Sequence, residues 1–192
     1  MGRIVVTEFV SLDGVMEAPG GGEDYEHAGW TFQIPRGEEG DNFKLQETLD
    51  AEALLLGRVT YDGFAAAWPQ MQGMGAFGEK MNSMPKYVVS SILERADWNN
   101  STVLSGELVE EVAKLKRDLD GTILVAGSAL LVQALLEQEL VDELRLMVFP
   151  VVLGSGKRLF GPASDKQRLR LTDSKIVGDG VAILIYESAA VE

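Results

Sequence analysis

Hydrophobic positions along the chain switch between short continuous runs and runs spaced three or four residues apart, the alternation of buried strands with amphipathic helices. Ile4 to Val10 is rich in β-branched residues and predicts a first strand, stopped by Ser11-Leu12-Asp13-Gly14. Ala18 to Gly40 is polar and lacks a period, so it reads as a long loop, of the kind that often carries function. Asp41 is placed as an N-cap, with Phe43, Leu45 and Leu49 marking a short helix behind it. Ala53-Leu54-Leu55-Leu56 predicts a buried strand ending at Gly57, then a helix from Thr60 to Trp68 closed by Pro69. A Gly- and Met-rich loop, Met71 to Gly78, leads to a third strand at Tyr87-Val88-Val89 and a weak one at Thr102-Val103-Leu104.

Glu107 to Leu119 is amphipathic, with Leu108, Val112, Leu115 and Leu119 on one face. Ile123-Leu124-Val125 is the next strand, broken at Gly127, and Ser128 is read as the cap of a helix running to Glu137. Leu144 to Phe149 is an apolar strand interrupted by Pro150. Leu169 to Val177 and Val181 to Tyr186 form a terminal antiparallel pair joined through Gly178-Asp179-Gly180. Alternating strands and helices through the middle imply a largely parallel sheet covered on both faces. With no repeat, linker or low-complexity tract, residues 1–192 are expected to form one domain.

Composition narrows the chemistry. The chain has no Cys, which removes disulfides, thiolate metal sites and cysteine nucleophiles. It lacks an export signal at its start, and together these features favour a reducing cytoplasm. No apolar run approaches the roughly 20 residues that span a bilayer, so no membrane partner is expected. A net charge of −13 argues against nucleic acid, whose phosphates need a basic surface. It also makes any local gathering of anion donors informative.

Ligands of parallel sheets sit beyond the carboxyl ends of the strands. Three predicted strand ends carry suitable groups: Gly57-Arg58-Val59-Thr60, Ser90-Ser91 and Gly127-Ser128-Ala129. Backbone N–H groups, hydroxyls and a guanidinium converging there would form a phosphate-binding rim. Gly73-Met74-Gly75-Ala76-Phe77-Gly78 matches the G-x-G-x-x-G pattern but follows no strand, and is expected to be a flexible loop rather than a dinucleotide fingerprint. His27 is the only histidine, so a His-based triad or multi-histidine metal site is excluded and no metal is expected.

Taken together, these strand ends resemble the dihydrofolate reductase-like fold, and most closely the reductase domain of bacterial riboflavin biosynthesis with its stand-alone relatives. The carriers are Ser11-Leu12-Asp13-Gly14, Leu55-Leu56-Gly57-Arg58-Val59-Thr60-Tyr61, Val125-Ala126-Gly127-Ser128, and Val141-Asp142-Glu143-Leu144-Arg145-Leu146 leading to Pro150-Val151-Val152-Leu153-Gly154-Ser155-Gly156. The resemblance implies an α/β, three-layer fold: a mostly parallel central sheet, a C-terminal antiparallel pair and helices on both faces. It further implies NADPH as cofactor and hydride transfer to a C=N or comparable carbon of a small heterocyclic or ribosylamino substrate. By position, Arg58, Ser90 and Ser91 would hold the adenosine 2′-phosphate. Thr60, Gly127, Ser128, Ala129 and Leu130 would hold the pyrophosphate, with Met16 and Leu131 near the nicotinamide end and Gly57 also among the cofactor-binding residues.

Two acids are candidates for the substrate side. Asp41 lies sixteen residues before Gly57, close to where folate reductases carry their substrate carboxylate, which keeps a dihydrofolate or pterin reductase open as an alternative. Asp13, in the loop after the first strand, is the other. A cofactor-binding module without efficient chemistry is the non-enzymatic reading. Finally, the run Leu146 to Leu153 is more apolar than a half-exposed strand needs, so a homodimer is expected to cover it.

Overall fold

The computed structural model of the chain describes residues 1–161 and 166–188. Eight strands, β1 (Arg3–Ser11), β2 (Ala51–Gly57), β3 (Lys86–Val89), β4 (Ser101–Leu104), β5 (Thr122–Ala126), β6 (Glu143–Phe149), β7 (Leu169–Val177) and β8 (Val181–Ser188), form one sheet in the order β4-β3-β2-β5-β1-β6-β8-β7. From β4 to β6 every neighbouring pair is parallel; β8 runs antiparallel to both β6 and β7. Five helices connect them: α1 (Gly37–Asp50), α2 (Arg58–Ala67), α3 (Gly75–Ser83), α4 (Leu108–Asp118) and α5 (Ala129–Glu137).

Alternation along the central strand β1 divides the core. Ile4, Val6 and Val10 pack with Val112 and Leu115 of α4 and with Leu131, Val132 and Leu135 of α5. Val5 faces the opposite way, into a cluster with Tyr61 of α2 and Met81 of α3. Phe9 lies on that second face too, against a cluster of Trp30, Met147, Phe149 and Ile183 that Phe43 of α1 also joins. Helices therefore cover both faces of a sheet whose central strands are buried on each side, which is why β2 and β5 read as unbroken apolar runs.

The helix read as starting after Asp41 begins at Gly37, with Arg36 at the cap position. Asp41 is a full turn inside, so it caps nothing; its carboxylate pairs with Arg36 Nε at 2.6 Å. Glu38 and Glu39 in the first turn favour that earlier start through the helix dipole, a signal that apolar periodicity does not register. The long polar loop before α1 contains a short 3-10 turn, Trp30–Gln33, whose Trp30 is buried and donates from Nε1 to the Glu17 carbonyl at 2.9 Å. Phe32, on the same turn, is exposed. The glycine pattern at Gly73 to Gly78 is not a flexible loop throughout, because α3 starts at Gly75. It follows a 3-10 turn, Trp68–Gln70, rather than a strand.

The premise for a homodimer also changes. β6 lies between β1 and β8, and Leu146, Met147 and Phe149 are covered within the monomer. The strand part of the run is interior to the monomer, whereas Val152 beyond it is 66% exposed.

At the other end of the sheet, fully buried Lys86 opens β3. Its Nζ donates to the carbonyls of Asn82 (3.1 Å), Met84 (2.8 Å) and Asn99 (3.0 Å) and lies 4.2 Å from the Trp98 ring centre. Burial pushes its pKa down to about 8. One side chain thereby ties the end of α3 to the β3–β4 connection. Lys86→Met nearly conserves volume but leaves three carbonyls without that donor. At about 1 kcal/mol or more for each such group, the melting temperature should fall by roughly 6 °C or more, measured by calorimetry beside the wild type.

Candidate functional site

β2, β3 and β5 run in the same direction, and β2 lies between the other two, so Gly57, Ser90 and Gly127 emerge along one edge. Beyond β3 and β4 is a cavity of about 420 Å³ lined by Arg58, Ser90, Ser91, Ile92, Ser105 and Gly106 among others. The three residues grouped from the sequence as one phosphate site are thus brought together. Arg58 Nη1 is 2.8 Å from Asp62 Oδ2, one turn along α2, and both side chains are well exposed. The buried Ser90 hydroxyl accepts from the N–H groups of Ile92 (3.3 Å) and Leu93 (3.0 Å), leaving its own proton to donate. Ser91 is exposed.

The turn from β5 into α5 is built differently from its sequence reading. Gly127 and Ser128 both have positive φ, 64° and 63°. Ser128 stands at the cap position of α5, yet its hydroxyl does not cap; Oγ accepts from the Gly57 N–H at 2.9 Å. In turn, Thr60 Oγ1 accepts from the Ser128 N–H at 2.8 Å. A Cβ on Gly127 would come within 2.9 Å of Thr60 Cγ2, so this glycine is required by the packing of the turn itself. Gly57, Thr60, Gly127 and Ser128 therefore bind one another, and the N–H groups of Gly57, Gly127 and Ser128 point inward. The outward donors are the remaining first-turn N–H groups of α2 and α5, helices that carry no side-chain cap. Ala129 and Leu130 open α5, with Leu130 81% exposed. Met16 and Leu131 lie in the core beneath this edge.

Gly127 donates its N–H to Glu8 Oε2 at 3.0 Å. Glu8 is 5% exposed, its Oε1 has no hydrogen-bond partner, and burial raises its pKa well above the usual carboxylate value. Glu8 was not singled out from the sequence. Its inward register with Ile4, Val6 and Val10 was the available signal.

On the opposite face of β1, Thr7 meets α1. The Thr7 hydroxyl lies 2.9 and 3.1 Å from the two oxygens of Glu47, a carboxylate almost wholly buried. Lys44 Nζ pairs with the same carboxylate and donates to Thr7 Oγ1 at 2.9 Å; Arg145 Nη1 is 3.6 Å from Glu47 Oε2. Lys44 and Arg36 also flank the Phe9 ring, at 4.9 and 5.1 Å from its centre. The buried acid of α1 is thus Glu47, not Asp41, whose side chain is 64% exposed. None of Thr7, Lys44 or Glu47 was singled out from the sequence, and Arg145 entered only as part of a family motif, without a site role.

Asp13 is also placed differently from a free catalytic acid. Its carboxylate accepts from Ser11 Oγ (2.6 Å) and from the N–H groups of Leu153 (3.1 Å) and Gly154 (2.9 Å). The Ser11 hydroxyl first, then the Leu153 N–H, hold its pKa at about 2. Asp13 clamps the exit of β1 to the exit of β6 and holds no proton to give near neutrality. Among the described residues, no three His, Cys, Asp or Glu side chains gather as a metal site, and no helix is long and apolar enough to cross a membrane.

Comparison with known proteins places this architecture. A protein of Bacillus subtilis called uncharacterized protein YyaP is 29% identical over 96% of this chain and 94% of its own. A solved structure ascribed to riboflavin biosynthesis in Shewanella sp. PV-4 shares 21% identity and a TM-score of 0.78, covering 98% of this chain and 99% of that one. Dihydrofolate reductase from Enterococcus faecalis, complexed with NADP(H) and RAB-propyl, shares the fold at a TM-score of 0.58 and 13% identity, over 98% of this chain and 97% of that one. The model of the RibD C-terminal domain matches residues 3–183, nearly the whole of the sheet described above, and the chain belongs to that family.

Proposed function

We propose that the chain is an NADPH-dependent reductase that transfers hydride to an unsaturated carbon of a heterocyclic or ribosylamino substrate, as in the reductase step of riboflavin biosynthesis. The observation that carries this reading is the grouping of Arg58, Ser90 and Ser91 around one cavity beside the uncapped start of α5. Strands β3 and β5 are two places apart, about 10 Å, a span suited to an anion with two separated phosphate groups. In a chain of net charge −13, such a concentration of donors is selective. Family membership and the NADP(H) named for the enterococcal neighbour support the same reading.

When bound, NADPH supplies the hydride; the chain binds and orients it. Arg58 offers a forked guanidinium and Ser90 and Ser91 offer hydroxyls to the 2′-phosphate. The first-turn amides of α2 and α5 face the pyrophosphate with the positive end of each helix dipole. The substrate belongs near the face of β1 that carries Thr7 and Phe9, where Lys44 of α1, paired with Glu47, lies beside both. An anchoring acid at Asp41, which a pterin reductase would use, is instead engaged by Arg36 at the surface, so the riboflavin-type reading is preferred.

Loss of a charge-assisted hydrogen bond is worth about 1.5–3 kcal/mol, so Arg58→Ala should weaken NADPH about tenfold to a hundredfold in a fluorescence titration. NADH, which lacks the 2′-phosphate, should be nearly unaffected. Equal losses for both cofactors would remove Arg58 from the 2′-phosphate site.

Asp62 competes for the same guanidinium. An exposed pair of this kind is worth at most about 1 kcal/mol, so Asp62→Ala should tighten NADPH by up to about fivefold without changing NADH. The substrate class is tested by following NADPH absorbance with a ribosylamino-pyrimidine and with dihydrofolate. Turnover on the pyrimidine alone is expected.

A further inference from the structure

The turn proposed above to lie under the cofactor pyrophosphate rests on a carboxyl group that no cofactor contact requires. Glu8 reaches it from β1, on the face shared with Val6 and Val10, and accepts the Gly127 N–H at 3.0 Å. The other two supports of the turn are the uncharged hydroxyl of Thr60 and the Gly57 amide. Glu8 is the one ionisable support, and one of its oxygens is buried with no partner. An unpaired buried oxygen is costly when charged and much less so as a neutral acid.

We propose that Glu8 is a positioning residue of the anion site: as a neutral acid it holds the Gly127–Ser128 turn in its binding shape, and it keeps its proton while phosphate lies over the start of α5. This rests on the cofactor reading above. A carboxylate at Glu8 would place negative charge directly beneath a bound anion, in surroundings of low dielectric. Anion binding and Glu8 ionisation therefore oppose each other, and linkage requires that each weaken the other.

From α1, Lys44 favours the ionised form and Glu47 opposes it, after the larger effect of burial. Strand β5, Thr122–Ala126, carries no charged residue, and the first turn of α5 has neither acid nor base. On β6, Glu143 and Arg145 bind each other at 2.5 Å, with Arg145 turned toward Glu47. Among the described residues, the charges acting on Glu8 are those of Lys44 and Glu47, and none comes from α5.

The test uses the whole protein with Glu8→Gln, which keeps an oxygen for the Gly127 N–H but cannot ionise, and Glu8→Leu, which removes the acceptor. NADP⁺ affinity is measured by titration from pH 5 to 9, reading each dissociation constant as a ratio to that of Glu8→Gln. The ratio cancels ionisation of the cofactor's own 2′-phosphate. The wild type should match Glu8→Gln at the acid end and weaken on the order of tenfold toward the alkaline end, while Glu8→Leu should be weaker than Glu8→Gln at every pH by a constant factor. A wild-type ratio that stays flat, or a Glu8→Gln protein that binds poorly at acid pH, overturns the proposal.

Melting without cofactor separates the two readings. The folded-state pKa of Glu8 is raised, so its contribution to stability is complete below about pH 4.5 and is lost as pH rises toward the folded value. The Glu8→Gln melting temperature should therefore gain on the wild type as pH rises through that window. If no protein binds NADP⁺ while this gain appears, the cofactor reading fails and the neutral buried acid stands. If NADP⁺ binds and no gain appears, the proposal for Glu8 fails alone.

Discussion

Two successive residues at positive φ, the second a serine, make an unfavourable start for a helix. Gly127 and Ser128 hold that shape because β1, β2 and α2 each contribute one hydrogen bond to the turn: Glu8 takes the Gly127 N–H, Gly57 gives its N–H to Ser128 Oγ, and Thr60 takes the Ser128 N–H. The side of the turn facing the protein is thus saturated. Only donors facing outward from the helix starts remain for a ligand. Most of the other site features follow from this arrangement, since it fixes α5 against α2 and sets the edge along which Arg58 and Ser90 are placed.

The two faces of β1 then differ in electrostatic character within one residue step. Glu8 is buried and, among the described residues, has no ion-pair partner, whereas Thr7 joins an ionic group of Lys44, Glu47 and Arg145. The latter continues through Glu143 to Arg3 and Glu187. A paired network can remain ionised at low exposure because every member meets an opposite charge; a lone acid is left to adjust its protonation. The strand thereby keeps a neutral side toward the proposed cofactor turn and a charged side toward α1.

Much of this was legible in the sequence. Unbroken apolar runs at Leu54–Leu56 and Ile123–Val125 identified the interior parallel strands, and glycines at their ends marked the ligand edge. The grouping of Arg58 with Ser90 and Ser91 was carried over by position from the resembling family. What escaped was information held in pairings across the fold. The start of α1 is set by acidic residues and a dipole rather than by an apolar stripe, so Asp41 was given a capping role it does not have. Ser128 has the side chain of a cap, but its hydroxyl is drawn to Gly57, seventy-one positions away. Asp13 looked free because its partners Leu153 and Gly154 lie at the other end of the chain. The burial of β6 depended on β8 lying beside it, which no local pattern reveals.

β7, the outer strand of the antiparallel pair, has its own consequence. It is nine residues long, almost wholly exposed, and among the described residues has one edge without a partner strand. Its pairing with β8 shifts register between Leu171 and Asp173, and Arg170, Asp173 and Lys175 are spaced along it. A kink of this kind spoils the straight ladder that an incoming strand would need, and the charges penalise its desolvation. The sheet is thus terminated by an irregularity that guards against fibre-like growth, and this lets so long a strand lie open at the margin of an otherwise covered fold.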